Sequence, residues 1–132
     1  MFDALDISVS ALAAQRIRMD TVAGNLANAF TTRNADGQPE PYRRRFVVFA
    51  EGDGSGGAGV HVGRVGEDPS SPRLVHEPGH PDADANGYVR YPNVQVSTEM
   101  INALEAARAY EANITAMQVT KSMVSNTLRL LA

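Results

Sequence analysis

The chain has 132 residues, no cysteine and a formal charge of −3 at pH 7. This length corresponds to one domain or at most two, and the slightly acidic balance argues against nucleic acid as a ligand. The absence of cysteine excludes disulfides and thiolate metal sites, and no apolar run approaches the roughly 18 residues of a membrane span, so we expect no direct membrane insertion.

The first segment, residues 1–30, is predicted to form a helix from about Asp3 to Asn28. Apolar residues recur there at alternating steps of three and four, which is the spacing of one helix face. Arg16 interrupts this apolar row, and we interpret it as an edge position or a subunit contact. The residues of this helix that we predict to pack against other helices or subunits are Leu5, Val9, Leu12, Arg16, Met19, Ala23, Asn25, Leu26 and Asn28.

The middle segment, residues 31–96, contains all seven prolines and every glycine except Gly24. Short apolar runs between Gly- and Pro-rich turns are typical of a small antiparallel β element. Strand alternation would send Arg44 to the opposite face from its neighbours in the basic run 43–45. An exposed strand edge, or salt bridges to an adjoining subunit, explains this run better than a polyanion site. We predict strands at residues 42–51, 59–65, 73–76 and 87–91.

Two loops of the middle segment match known ligand sites only in part. Residues 52–57 fit the pattern G-x-G-x-x-G, but a strand follows instead of the helix whose N-terminus would hold a phosphate, so we predict a flexible loop. Residues 82–87 match the first half of a calcium-binding EF-hand loop, although Asn93 stands where a bidentate glutamate is required. We favour an Asx-type turn that leads into a strand. A small calcium- or metal-binding domain that uses residues 76–87 is the alternative function.

The last segment, residues 97–132, is predicted to be one long helix from Ser97 to Leu131, capped by Asn93 or Ser97. Its apolar residues keep steps of four and three over about five heptads, without any Gly or Pro. At 1.5 Å per residue the helix would be roughly 50 Å long, more than a compact domain of this size needs. The predicted packing residues are Met100, Ala103, Ala107, Tyr110, Ile114, Met117, Lys121, Val124, Leu128 and Leu131.

The charges of this helix do not suggest chemistry. Lys121 is the one residue of the row that is not apolar, and we interpret it as an edge position or a subunit contact. Glu99, Glu105 and Glu111 are interpreted as solvated or interfacial charges, because no basic group is paired with them in a way that indicates catalysis. We predict no catalytic residue, no metal and no cofactor.

These elements predict a mainly helical α+β fold, in which the two terminal helices pair as a coiled-coil-like hairpin and a small antiparallel β insert lies between them. A two-helix hairpin covers only one side of each helix, so the remaining apolar residues predict packing against neighbouring copies or related chains. A structural assembly subunit is favoured over a small binding or enzymatic domain, and a free coiled-coil adaptor is a further alternative.

Several stretches together resemble the flagellar axial proteins, which comprise rod, hook and hook-associated subunits. The N-terminal signature of that family is similar to residues 13–20, 24–29 and 31–32. The C-terminal helix motif of the family is similar to residues 99–101 and 106–113. A stretch typical of certain rod subunits resembles residues 78–93, and we call it the family-motif loop. Its matching residues are Pro78, Gly79, His80, Pro81, Asp82, Asp84, Asn86, Gly87, Tyr88, Pro92 and Asn93.

The resemblance implies a structural subunit of the proximal rod of the bacterial flagellum. It implies export by the flagellar type III apparatus without a cleaved signal, and the first residues indeed lack the basic start and apolar stretch of a secretory signal. It also implies helical assembly in the periplasmic space through the terminal helices, and transmission of torque. The implied partners are other copies of the chain, other proximal-rod proteins, the adaptor between rod and MS ring, and distal rod proteins.

Overall fold

A computed structural model describes residues 2–132 and confirms the predicted α+β architecture. The chain begins and ends in the long helices α1 (Phe2–Ala27) and α2 (Val96–Leu131). The helix limits differ from the predicted ones by at most one residue. The strands between the helices are β1 (Arg45–Glu51), β2 (Val60–Glu67), β3 (Arg73–His76) and β4 (Tyr88–Tyr91).

The β insert consists of two separate hairpins. β1 pairs with β2 and β3 pairs with β4, in both cases antiparallel, as the sequence predicted. An isolated two-stranded hairpin is marginally stable in water, so each needs support from the rest of the chain. The first hairpin lies against α1, where the hydroxyl oxygen of Ser10 accepts a hydrogen bond from the N–H of Val60 (3.1 Å).

The side chains of α1 and α2 that are fully buried are mostly small or polar. The buried residues of the two helices are Ser8, Ala14, Val22 and Asn25 on α1, and Glu99 and Ala106 on α2. Burial of an alanine contributes much less than burial of a leucine or methionine, which is worth about 1.5–3 kcal/mol. The pairing of the helices therefore depends on length and on polar contacts more than on large apolar side chains.

The contact with α1 follows only part of the predicted apolar row of α2. Ala103, Tyr110 and Met117 are half-buried within the chain. At the start of α2 the buried residue is not Met100, which the apolar row predicts, but the residue before it. Glu99 is fully buried, while Met100 is 57% exposed. Heptad spacing shows which residues share a face, but the rotation of a helix about its axis depends on its partners. Here the buried hydrogen bonds of Glu99 bring that residue inward.

The start of α2 differs from the prediction. Neither Asn93 nor Ser97 caps the helix, because the N-cap residue is Gln95, whose side chain makes no capping hydrogen bond. Asn93 instead accepts a hydrogen bond from the N–H of Arg44 (3.0 Å) and donates one to the carbonyl oxygen of Asp68 (3.3 Å). Its side chain therefore connects the first hairpin to the chain that enters α2.

The two helices run antiparallel, and the C-terminal end of α2 extends beyond the start of α1. α2 has 36 residues and α1 has 26, and residues 125–131, which we call the overhang, are all exposed. Leu128, Leu130 and Leu131 of the overhang are 61%, 88% and 80% exposed. Despite their length, the helices of the described chain, residues 2–132, include none that is long and apolar enough to cross a membrane.

Candidate subunit-packing surface

A buried polar cluster joins both helices and the β insert, and we call Asn25, Arg44 and Glu99 the polar clasp. Nδ2 of Asn25 donates hydrogen bonds to the carbonyl oxygen of Arg45 (2.8 Å) and to Oε2 of Glu99 (3.2 Å). Its Oδ1 accepts from the N–H of Arg45 (2.9 Å) and from the hydroxyl of Tyr42 (3.0 Å). The Asn25 side chain thus pairs with the backbone of Arg45 as a neighbouring strand would.

Glu99 is fully buried, so the prediction of a solvated or interfacial charge is wrong for this residue. Its carboxylate accepts a hydrogen bond from Nε of Arg44 as well as from Asn25. A buried carboxylate is tolerated only where it is paired and hydrogen-bonded. The sequence pattern missed this role because the two partners lie 55 and 74 residues away along the chain.

Arg44 faces away from its neighbours, as strand alternation predicted. It is half-buried while Arg43 and Arg45 are exposed. Its guanidinium lies 3.7 Å from a carboxylate oxygen of Asp68, in addition to its contact with Glu99, and both of these ion pairs are within the chain.

A second polar cluster attaches the family-motif loop to the segment that follows α1. Oδ1 of Asp82 accepts a hydrogen bond from Nε of Arg33 (2.7 Å), and Oδ2 accepts one from the hydroxyl of Thr32 (2.6 Å). These two hydrogen bonds, that of Arg33 first, hold the pKa of Asp82 below its usual range. Its side chain is only 7% exposed. The first carboxylate of the EF-hand-like sequence is therefore engaged by protein donors.

The tip of the family-motif loop is a tight Asx-type turn, as we predicted in preference to a calcium loop. Oδ1 of Asp84 accepts hydrogen bonds from the N–H groups of Asn86 and Tyr88, each at 2.9 Å. Gly87 has a φ of 82°, and a Cβ at this position would lie 3.1 Å from Nε2 of His76. The left-handed backbone and the close approach both require glycine. Within residues 2–132 no group of three or more His, Asp or Glu is arranged to hold a metal ion.

Aromatic contacts support the same loop. The Tyr91 hydroxyl donates a hydrogen bond to Oε2 of Glu77 (2.9 Å), and this bond raises the pKa of the Tyr91 hydroxyl. The Tyr91 ring meets the rings of Phe30 and His80 edge to face, with centroids 6.1 Å apart in each case. These contacts place the loop beside the end of α1.

The predicted packing residues of α1 differ widely in their exposure. Asn25 is buried in the polar clasp. Half-buried positions are Leu5, Leu12, Met19, Leu26 and Asn28. Exposed positions are Val9, Arg16 and Ala23. Whether the exposed ones contact other subunits stays a prediction.

The predicted packing residues of α2 divide in the same way. Half-buried positions are Ala103, Ala107, Tyr110, Ile114, Met117 and Val124. Exposed positions are Met100, Lys121, Leu128 and Leu131.

In the family-motif loop Gly87 and Pro92 are buried, and the residues of intermediate exposure are His80, Asp82 and Asn93. Its exposed residues are Pro78, Gly79, Pro81, Asp84, Asn86 and Tyr88.

A further set of exposed apolar residues on α2 was missed by the heptad interpretation. We call it the rear stripe, and it consists of Ile101, Leu104, Val119, Met123 and Leu130, each more than half exposed. Helical periodicity places these residues on the side of α2 that faces away from α1. Leu130 lies 11 residues after Val119, and Met123 lies two such steps after Ile101, with Ala112 between them. A spacing of 11 residues keeps a stripe nearly straight along a helix. An 11-residue repeat in the sequence was the signal that could have revealed it.

Known proteins are similar to this sequence over almost its whole length. The family model described as "Flagella basal body rod protein" matches residues 5–33, and "Flagellar basal body rod FlgEFG protein C-terminal" matches residues 85–130. Curated relatives named flagellar basal-body rod protein FlgC are 48% identical in Salmonella typhimurium, 46% in Yersinia enterocolitica and 43% in Bacillus subtilis. Each alignment covers 98% of this chain and 97% of the relative.

Proposed function

The chain belongs to the FlgC family of flagellar basal-body rod proteins, and we propose that it builds the proximal part of the rod through its two terminal helices. Membership of this family makes it a structural component of the flagellar basal body and not an enzyme. We further propose that it assembles through the exposed apolar surface of α2, that it is exported by the flagellar type III apparatus, and that the assembled rod transmits torque.

The observation that carries the proposal is the exposed apolar surface of α2. The rear stripe and the leucines of the overhang stay uncovered by the rest of the chain. Contiguous exposed apolar surface on a helix marks a site of protein contact. Because these residues run along the helix, the matching partners are other long helices, as in a helical tube of subunits.

We assign these contacts to other copies of the chain and to other proximal-rod proteins. The adaptor between rod and MS ring and the distal rod proteins are the partners proposed at the two ends of this layer. Export by the flagellar type III apparatus without a cleaved signal would deliver the subunit to the periplasmic rod. The small side chains between α1 and α2 support this route, since a thin core opposes unfolding less than a large one.

A charged residue in the overhang tests the packing role. Leu128→Asp would place a carboxylate in the helix contact, where an unpaired buried charge costs several kcal/mol. We expect cells that carry this variant to lose swimming and rod assembly while the subunit is still exported. Ser125→Asp is the matched control, because it adds the same charge to the overhang at an exposed polar position outside the rear stripe. Normal swimming of the Leu128→Asp strain would refute the packing role.

A further inference from the structure

The fully buried part of the contact between α1 and α2 contains little that distinguishes one alignment of the two helices from another. Its buried apolar residues are mostly small, as at Ala14 and Ala106. Large interlocking side chains resist sliding of one helix along another, whereas rows of alanine do so weakly. A shift of α2 by one heptad would present the same face to α1.

The polar clasp is the exception to this uniformity. Asn25 and Glu99 are both fully buried, and the Glu99 carboxylate binds Asn25 on α1 and Arg44 beside β1. If α2 slid along α1, the carboxylate would lose both partners, and an unpaired buried charge costs far more than a displaced alanine. We propose that the polar clasp sets the register of α2 against α1 and against the first hairpin.

No other described contact between the helices can take over this role. Arg18 and Glu105 form an ion pair of 3.2 Å between α1 and α2, but the Glu105 side chain is 61% exposed. Exposed ion pairs of this kind contribute little to the stability of a helix contact. The connection through residues 28–95 is attached near the start of α2 by the hydrogen bonds of Asn93 to Arg44 and Asp68, but these bonds reach the first hairpin and not α1, and they bury no charge.

The register has a consequence for the assembled surface. It determines how far α2 extends past α1, and hence the length of the overhang, residues 125–131. It also fixes the position of the rear stripe relative to the exposed residues of α1. One buried contact near residues 25 and 99 therefore decides which side chains the far end of the hairpin presents.

Cysteine cross-linking measures the register directly, since the chain has no cysteine of its own. The native pair is Arg18→Cys with Glu105→Cys, whose parent side chains touch. The shifted pair is Arg18→Cys with Ala112→Cys, which lies one heptad further along α2. A short bis-maleimide applied to the purified full chain should link the native pair about tenfold more than the shifted pair, because the clasp excludes the shifted alignment.

Three variants separate register from stability. Arg44→Met combined with Glu99→Leu replaces the ion pair by apolar groups, a change that often leaves stability unaffected. Glu99→Gln keeps the shape of the side chain but removes its charge. Glu111→Gln is the matched control, because it neutralises an exposed carboxylate on the same helix.

We expect the ratio of native to shifted cross-linking to fall at least about threefold in the first two variants, with the helical circular dichroism retained, because the shifted alignment then buries no unpaired charge. In Glu111→Gln the ratio should stay unchanged. If the Arg44→Met/Glu99→Leu chain folds and still links only the native pair, the clasp contributes stability and not register, and the proposal is overturned. If that chain does not fold, an unchanged ratio in Glu99→Gln overturns it equally.

Discussion

Nδ2 of Asn25 on α1 donates a hydrogen bond of 3.2 Å to Oε2 of Glu99 on α2, although the two residues are 74 positions apart in the sequence. Both side chains are fully buried. The same amide group also satisfies the N–H and the carbonyl oxygen of Arg45. The Asn25 side chain therefore makes hydrogen bonds both to the buried carboxylate of Glu99 and to the backbone of Arg45 at the start of β1.

Asn25→Ala should lower the free energy of unfolding by about 2–5 kcal/mol, because it leaves Glu99 and the backbone of Arg45 with unsatisfied buried groups. Urea denaturation followed by circular dichroism measures this loss. Asn126→Ala, at an exposed position of α2, is the control and should change stability by less than about 0.5 kcal/mol. Equal stability of the two variants would contradict a structural role for the clasp.

The two glycines of the family-motif loop should respond differently to alanine. Gly87 has a φ of 82° and a close neighbour, so Gly87→Ala should cost about 1–3 kcal/mol. A Cβ at Gly79 would meet nothing within 4 Å, so Gly79→Ala should stay within about 0.5 kcal/mol of the parent. Thermal unfolding of the two variants in parallel checks the difference. A larger loss in Gly79→Ala would be inconsistent with the turn geometry.

The Asp82 carboxylate should make the attachment of the family-motif loop sensitive to acid. Its pKa is lowered in the folded chain, first by the hydrogen bond from Arg33, so its contribution is fully present above the unfolded pKa and is lost as pH falls through the folded value. NMR titration should show Asp82 ionising below the ordinary value of about 3.9. In Arg33→Gln the pKa should rise towards that value.

The stability difference between the parent and Arg33→Gln should accordingly be largest at neutral pH and should disappear in strong acid. Arg43→Gln, a change of another exposed arginine, is the control. A difference that is independent of pH would show that Arg33 acts by packing and not through Asp82.

Two positions of the predicted α2 row should separate folding from assembly. Ile114 is half-buried within the chain, whereas Leu128 lies exposed in the overhang. Ile114→Asp should destabilise the isolated subunit by about 2–4 kcal/mol, and Leu128→Asp should leave its stability within about 0.5 kcal/mol. Both should abolish swimming. Chemical denaturation of the purified variants, beside motility assays, tests the division, and a strongly destabilised Leu128→Asp chain would contradict it.

Local patterns were sufficient to predict the elements of this fold. Steps of three and four identified both helices to within one residue, and Gly- and Pro-rich turns identified the strands between them. The Asx turn at Asp84 followed from the residue types of the loop itself. Each of these features depends on neighbours within a few positions, where spacing and backbone preference decide the conformation.

The sequence by itself thus determined two long amphipathic helices, a β insert and the family to which the chain belongs. The tertiary structure decided which face of α2 meets α1, because the heptad rows allow more than one rotation. It also decided that Glu99 is buried, since its partners Asn25 and Arg44 come from distant segments. A carboxylate in a helix has the same local sequence whether it is solvated or paired. Only the approach of the other segments settles which environment it occupies.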